Sequence, residues 1–166
     1  MAKGKISNGS GVYVLTIEST KDKTIGIGRL GSHYFPRGIY AYVGSALGNH
    51  GTSLEARILR HMSTEKKTRW HIDYLLGSED VEIVAVTYSE TPSRMECSVS
   101  KSIDEAGMTS PVKGFGSSDC REKCKSHLYY SPNADLDKLI INLHGIFKNL
   151  DLTPKPLSIR EPTHAD

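Results

Sequence analysis

The sequence predicts an α+β domain in which a small β-sheet is flanked by helices. Runs of β-branched and aromatic residues lie near the N-terminus, whereas apolar residues recur at helical spacing in the middle and near the C-terminus. The predicted order is β-β-β-α-α-β-α-loop-α. With 166 residues, 37% of them hydrophobic, the chain is long enough to bury a core without disulfides.

Four stretches have the composition of strands. Residues 11–18 are rich in Val, Tyr, Leu and Ile, and a polar turn leads back to residues 25–28. Residues 38–44 end in a glycine, so that the N-terminal part predicts an antiparallel meander. Residues 81–88 predict a further core strand.

Four helices are predicted from capping signals and apolar spacing, and they cover residues 52–62, 70–76, 93–106 and 135–147. Residues 1–150 are therefore expected to form a single domain. Residues 151–166 contain prolines and scattered charges, which predicts a loosely attached C-terminal tail.

Composition excludes several classes of protein. No apolar run approaches the ~20 residues that span a bilayer, so no membrane partner is expected. The first ten residues contain lysines but no apolar leader segment, and three cysteines are too few and odd in number for a disulfide framework. We therefore expect a cytoplasmic protein.

Five residues predict one chemical site. Tyr13 and Tyr42 lie on neighbouring predicted strands, Arg57 and His61 are four residues apart on a helix, and Glu96 lies near the start of another helix. Guanidinium, imidazole, phenol and carboxylate groups together suit phosphodiester cleavage, because they can hold the phosphate, move a proton and bind a divalent cation.

Each of these residues also has a purely structural interpretation. Strand tyrosines commonly pack a core, and Arg57 with His61 suits a solvated helix face. Glu96 is the last residue of a Ser-x-x-Glu capping box that begins at Ser93, which would account for its carboxylate without a metal.

The ordered motifs resemble the GIY-YIG nuclease superfamily. They are Gly11-Val-Tyr13, Tyr42-Val-Gly44, Leu54-x-x-Arg57-x-x-x-His61 and Glu96. The segments Gly38-x-Tyr-x-Tyr-Val-Gly-Ser-Ala46, Trp70-His-Ile-Asp-Tyr-Leu75 and Glu96-Cys97 further resemble a little-studied archaeal and bacterial branch, sometimes fused to a base-excision glycosylase. The resemblance extends from residue 11 to about residue 130.

The resemblance implies a small three-stranded antiparallel sheet and metal-dependent cleavage of DNA. Tyr13 and Tyr42 would be the paired tyrosines, one of them acting as or assisting the general base. Arg57 would stabilise the charge on phosphorus, His61 would move the proton, and Glu96 would hold Mg²⁺ or Mn²⁺. The long spacer between the tyrosine triplets implies an inserted hairpin.

A second cluster predicts a structural zinc site. Cys120 and Cys124 are followed by His127, and Cys97 supplies a fourth ligand of the types that zinc binds. Two alternatives stay open, namely that the cysteines are small buried apolar residues, and that His127 instead lines the nuclease pocket.

An excess of cations in the first half of the chain favours a phosphate partner. The nucleic-acid-binding candidates are Arg37, Arg60, Lys66, Lys67, Arg69 and His71. A solvated charged face is the alternative.

The sequence thus predicts a divalent-metal-dependent endonuclease that acts on DNA, with repair as one setting. RNA as the substrate and the oligomeric state stay open. The alternative functions are a non-catalytic nucleic-acid-binding module and a zinc-stabilised interaction protein.

Overall fold

A computed structural model describes residue 6 and residues 8–48, 50–132 and 135–159. The strands are β1 (Gly11–Ser19), β2 (Lys23–Gly26), β3 (Ser32–Phe35), β4 (Gly38–Ala46), β5 (Val81–Glu90), β6 (Leu128–Ser131) and β7 (Lys155–Ser158). The helices are α1 (Leu54–Met62), α2 (His71–Leu76), α3 (Glu96–Glu105) and α4 (Leu136–Asn149), with short 3₁₀ turns at Gly28–Leu30 and His50–Thr52.

Five strands form one antiparallel sheet in the order β6-β4-β1-β5-β7, and β2 pairs with β3 in a separate two-stranded sheet. The predicted small three-stranded sheet is therefore wrong. The two additional strands, β6 and β7, are each four residues long. They come from segments that the sequence analysis treated as loop and tail, because a short edge strand is defined by its pairing partner more than by its own composition.

Strand alternation gives the large sheet two different faces. One face carries the aliphatic side chains Val12, Val14, Ile39, Ala41 and Val43, which pack with residues of α3 and α4. The other face carries Tyr13, Leu15, Tyr40 and Tyr42, which pack with α1, α2 and the segment before β6. Both faces are buried, so the sheet is the middle layer between two sets of helices and loops.

The helix starts differ in detail from the predicted ones. Ser53, and not Thr52, is the N-cap of α1, where its hydroxyl accepts a hydrogen bond from the Ala56 N–H at 3.2 Å. Helix α3 begins at Glu96 itself, with Met95 as its N-cap and no side-chain cap. The predicted capping box at residues 93–96 is thus not formed, and the Glu96 carboxylate is left for another contact.

None of the helices in the described part of the chain has the length and apolar character needed to cross a bilayer.

Candidate active site and metal centre

A cleft of about 840 Å³ lies at the end of β4, between α1, the start of α3 and the segment that precedes β6. It is lined by four of the five residues predicted to form the chemical site, namely Tyr13, Tyr42, Arg57 and Glu96. The fifth, His61, is buried directly behind Tyr13. The predicted constellation therefore lies in one place.

The sheet positions the two tyrosines. Tyr13 on β1 lies opposite Gly44 on β4, and a Cβ at Gly44 would come within 2.4 Å of the Tyr13 ring. Only glycine leaves room for the ring at this point. Tyr42 lies two residues before Gly44, so that it occupies the same face of the sheet. Both side chains are at least nine-tenths buried.

Tyr13 and His61 form a buried hydrogen bond of 2.7 Å between the phenol oxygen and Nε2. Burial raises the pKa of Tyr13 well above its ordinary value, with further contributions from the neighbouring Tyr42 and Glu96. Burial also lowers the pKa of His61 to about 3, and the nearby cation of Lys66 adds to that effect. At neutral pH the pair therefore consists of a protonated phenol and a neutral imidazole.

Arg57 and Glu96 are held by the same residue, Ser45. The Arg57 guanidinium donates to the Ser45 carbonyl oxygen at 2.9 Å, and the Ser45 hydroxyl donates to the Glu96 carboxylate at 3.0 Å. The sequence analysis did not assign this role to Ser45, because only the fold brings the end of β4 beside both helices.

Trp70 supports Arg57 from the side. The Arg57 guanidinium carbon lies 5.3 Å from the centre of the Trp70 ring, and that of Arg60 lies 4.1 Å from it. Arg60 is itself fixed by two hydrogen bonds to Asp73, of 3.0 and 2.9 Å. A buried carboxylate with a bidentate arginine partner is a rigid anchor, and here it sets the position of the aromatic ring beside Arg57.

The segment before β6 closes one side of the cleft. The Gly116 N–H donates to His71 Nδ1 at 2.9 Å, which leaves His71 Nε2 to carry the proton of the neutral ring. Burial lowers the pKa of His71, so the ring is neutral at neutral pH. Gly116 has a φ of +68°, and a Cβ there would lie 3.0 Å from the Tyr42 ring. This segment therefore packs tightly onto the tyrosine.

A group able to bind a metal ion forms part of the cleft wall, since Cys97, Cys120 and His127 line the cleft. The ligand atoms of Cys97, Cys120, Cys124 and His127 all lie within 4.8 Å of one another. The Cys97 and Cys120 sulfurs are 3.3 Å apart, and Cys97 Sγ lies 3.9 Å from His127 Nε2. Because Cys97 directly follows Glu96 on α3, the metal-binding group and the carboxylate of the cleft belong to consecutive residues.

The structure separates the predicted nucleic-acid-binding cations. Arg69 and His71 line the cleft. Arg60 is paired with Asp73, and Lys66 donates to the carbonyls of Arg60, His61 and Ser63 at the end of α1. Arg37 and Lys67 are exposed and do not line the cleft. Two lining arginines, Arg94 and Arg121, were missed because each lies in a connecting segment outside the cation-rich stretch of residues 29–71.

The profile of the DUF123 family, a domain of unknown function, matches residues 12–149. The chain therefore belongs to the DUF123 family. DUF123 is a distinct family, so the resemblance to the GIY-YIG superfamily is wrong as an assignment. Short motifs in a given order, such as the two tyrosine triplets, did not suffice to identify the family. Comparison with curated proteins and with solved structures gives no significant match to either.

Proposed function

We propose that the cleft catalyses divalent-cation-dependent hydrolysis of phosphodiester bonds in DNA. The observation that carries this proposal is the buried Tyr13–His61 hydrogen bond of 2.7 Å beside Arg57 and Glu96 in one open cleft. A purely structural cluster would not need a guanidinium and a carboxylate at the same opening as a neutral proton relay.

Arg57 binds the scissile phosphate, since its planar fork matches two non-bridging oxygens, and it stabilises the charge that grows on them as water attacks phosphorus. Tyr13 takes the proton of the attacking water while its own proton passes to His61 Nε2, and the bond from phosphorus to the leaving sugar oxygen breaks as that oxygen takes a proton from solvent.

Glu96 is the residue that would hold the divalent cation. Its only described hydrogen bond is the one from Ser45, and its carboxylate lines the cleft. Carboxylate oxygens are the ligands that Mg²⁺ and Mn²⁺ prefer. A cation bound there would polarise the phosphoryl oxygen and help to form the attacking hydroxide.

The test is cleavage of labelled single-stranded, duplex and flapped DNA with Mg²⁺ or Mn²⁺, for the wild type, Arg57→Ala and Glu96→Gln. We expect each substitution to lower the rate by at least about 100-fold, the typical cost of losing one transition-state contact. The matched controls are Arg29→Ala and Glu105→Gln, which lie outside the cleft and should cleave as the wild type does.

Two results would contradict the proposal. Undiminished cleavage by both cleft variants would show that the activity does not belong to this site. Salt-dependent DNA binding by the wild type without any cleavage would instead support the alternative function, a non-catalytic nucleic-acid-binding module.

We also propose that the group of Cys97, Cys120, Cys124 and His127 binds zinc as a structural ion. Three thiolates and one imidazole are a common zinc ligand set, and a Zn–S bond of about 2.3 Å places tetrahedral sulfurs about 3.8 Å apart. The observed ligand spacing, from 3.3 Å to at most 4.8 Å, brackets that value. Zinc would tie α3 to the segment that closes the cleft.

Elemental analysis of the purified protein tests the zinc proposal. We expect one zinc ion per chain, and none in a Cys120→Ser/Cys124→Ser variant. Zinc removal should lower the melting temperature, because the ion binds only the folded ligand set. A wild-type protein purified from zinc-supplemented medium with no bound zinc would overturn the proposal.

A further inference from the structure

Three exposed arginines line the cleft. Arg69 lies between α1 and α2, Arg94 lies between β5 and α3, and Arg121 lies between α3 and β6. We call them the arginine rim. The fold thus brings together three cations that are at least 25 residues apart in the chain.

The rim arginines have no ion pair among the residues that the structure describes. Arg60 next to them differs, because the Asp73 carboxylate lies 2.9 Å from its guanidinium. Of the acidic groups that line the cleft, Glu122 is paired with Lys101 at 3.1 Å, whereas Glu96 and Asp119 make no described ion pair. The rim guanidinium groups are therefore available to an incoming anion.

Four arginines line the cleft against three carboxylates, and none of the three rim arginines forms a described ion pair, so a polyanionic ligand would meet unpaired cations there. Arginine suits phosphate in particular, since its planar fork donates two parallel hydrogen bonds to phosphate oxygens. Arg57 at the floor of the cleft is already assigned to the scissile phosphate, so the rim is left for phosphates on either side of it.

We propose that the arginine rim binds the phosphates that flank the scissile bond, and that the substrate is a polynucleotide strand with phosphates on both sides of the cut. This inference rests on the proposed phosphodiesterase function. It adds the assignment of Arg69, Arg94 and Arg121 to the phosphates on either side of the cut, which makes binding depend on strand beyond the scissile bond.

The salt dependence of binding tests the rim. Anisotropy of labelled DNA is measured in Ca²⁺, in the Glu96→Gln background, for the rim variant R69Q/R94Q/R121Q. Each lost phosphate contact lowers the slope of log K against log salt by about 0.7 for a single strand and about 0.9 for a duplex. For the loss of three contacts, we expect the magnitude of the slope to fall by about 2 for a single strand and by about 3 for a duplex.

A matched control removes the same charge elsewhere. The control variant R29Q/K138Q/K148Q changes three exposed cations that do not line the cleft, and its slope should equal that of the parent. Both triple variants are first shown to melt cooperatively, as the wild type does. Emission of Trp70, the single tryptophan of the chain and a lining residue of the cleft, gives a second readout of ligand entry.

The outcomes separate this inference from the proposed function. Equal slopes for the rim and control variants would overturn the rim while leaving cleavage by the wild type intact. A rim-dependent slope with no cleavage under any condition would support the rim and overturn the proposed hydrolysis. Competition by polyglutamate as strong as that by DNA would show a general anion site and would also overturn the assignment to phosphates.

Discussion

The two faces of the large sheet are built from alternating residues of the same strands, yet they differ in chemistry. Val12 and Val14 point to one side and Tyr13 to the other. The side covered by α3 and α4 is mostly aliphatic, with Phe147 and Tyr129 packed into it, whereas the side covered by α1 and α2 carries Tyr13, Tyr40 and Tyr42 and a buried histidine.

Residues that stabilise the fold and residues that carry the proposed chemistry therefore alternate along the same strands. Aliphatic packing is non-directional and depends on filled volume. The opposite face instead depends on directional contacts, such as the Tyr13–His61 hydrogen bond, whose loss leaves a buried polar atom without a partner. Substitutions on the aliphatic face should therefore change stability and leave activity intact, whereas those at Tyr13 and His61 should change activity, with a stability cost from the unpaired buried atom.

The largest expected effect is on activity. Tyr13→Phe removes the hydroxyl that takes the proton from the attacking water, so cleavage should slow by about 100- to 10,000-fold. The matched control is Tyr40→Phe on the same face of the sheet, whose hydroxyl donates to the Pro36 carbonyl outside the cleft. Its cleavage rate should be that of the wild type. Equal rates for the two variants would remove Tyr13 from the mechanism.

The next effect concerns stability alone. Leu143 on α4 is fully buried in the aliphatic layer, so Leu143→Ala should lower the free energy of unfolding by about 2–5 kcal/mol. Denaturant titration measures this change. Ile141 on the same helix is 69% exposed, and Ile141→Ala should change stability by less than about 0.5 kcal/mol. A large loss of cleavage by the folded Leu143→Ala protein would contradict the separation of the two faces.

The smallest effect is a pH dependence of stability. The pKa of His61 is lowered from 6.5 to about 3 on folding, so between these values the unfolded chain binds the additional proton and stability falls as the pH falls. When the pH is lowered from 6 to 4, the free energy of unfolding of the wild type should fall by about 2–3 kcal/mol more than that of His61→Gln. Unfolding titrations of both proteins across this range measure the difference. Parallel curves would show that His61 titrates normally in the folded protein.

The sequence predicted the elements in which apolar residues recur at a regular spacing. Strands β1, β4 and β5 and helices α1, α2 and α4 lie close to their predicted positions, because the spacing of their apolar residues distinguishes a helix from a strand. Strand alternation accounts for the placement of Tyr13 and Tyr42, and helical spacing for that of Arg57 and His61. No periodicity placed Glu96 beside them, since it lies on a separate helix.

The rest depends on contacts between distant segments. Strands β6 and β7 exist because β4 and β5 offer free edges, which a four-residue pattern cannot reveal. The bonds of Ser45 to Arg57 and Glu96 join residues 12 and 51 positions away along the chain. The convergence of Arg94 and Arg121 at one opening likewise follows from the fold and not from local composition.

The position of Ser45 also affects how the protein can be altered. Because the arginine and the carboxylate both bind this one residue of β4, the sheet sets the distance between them. The far ends of α1 and α3 do not set it. An insertion after Glu105 should therefore leave the two charged groups in place, and this position is suitable for grafting a second domain onto this one.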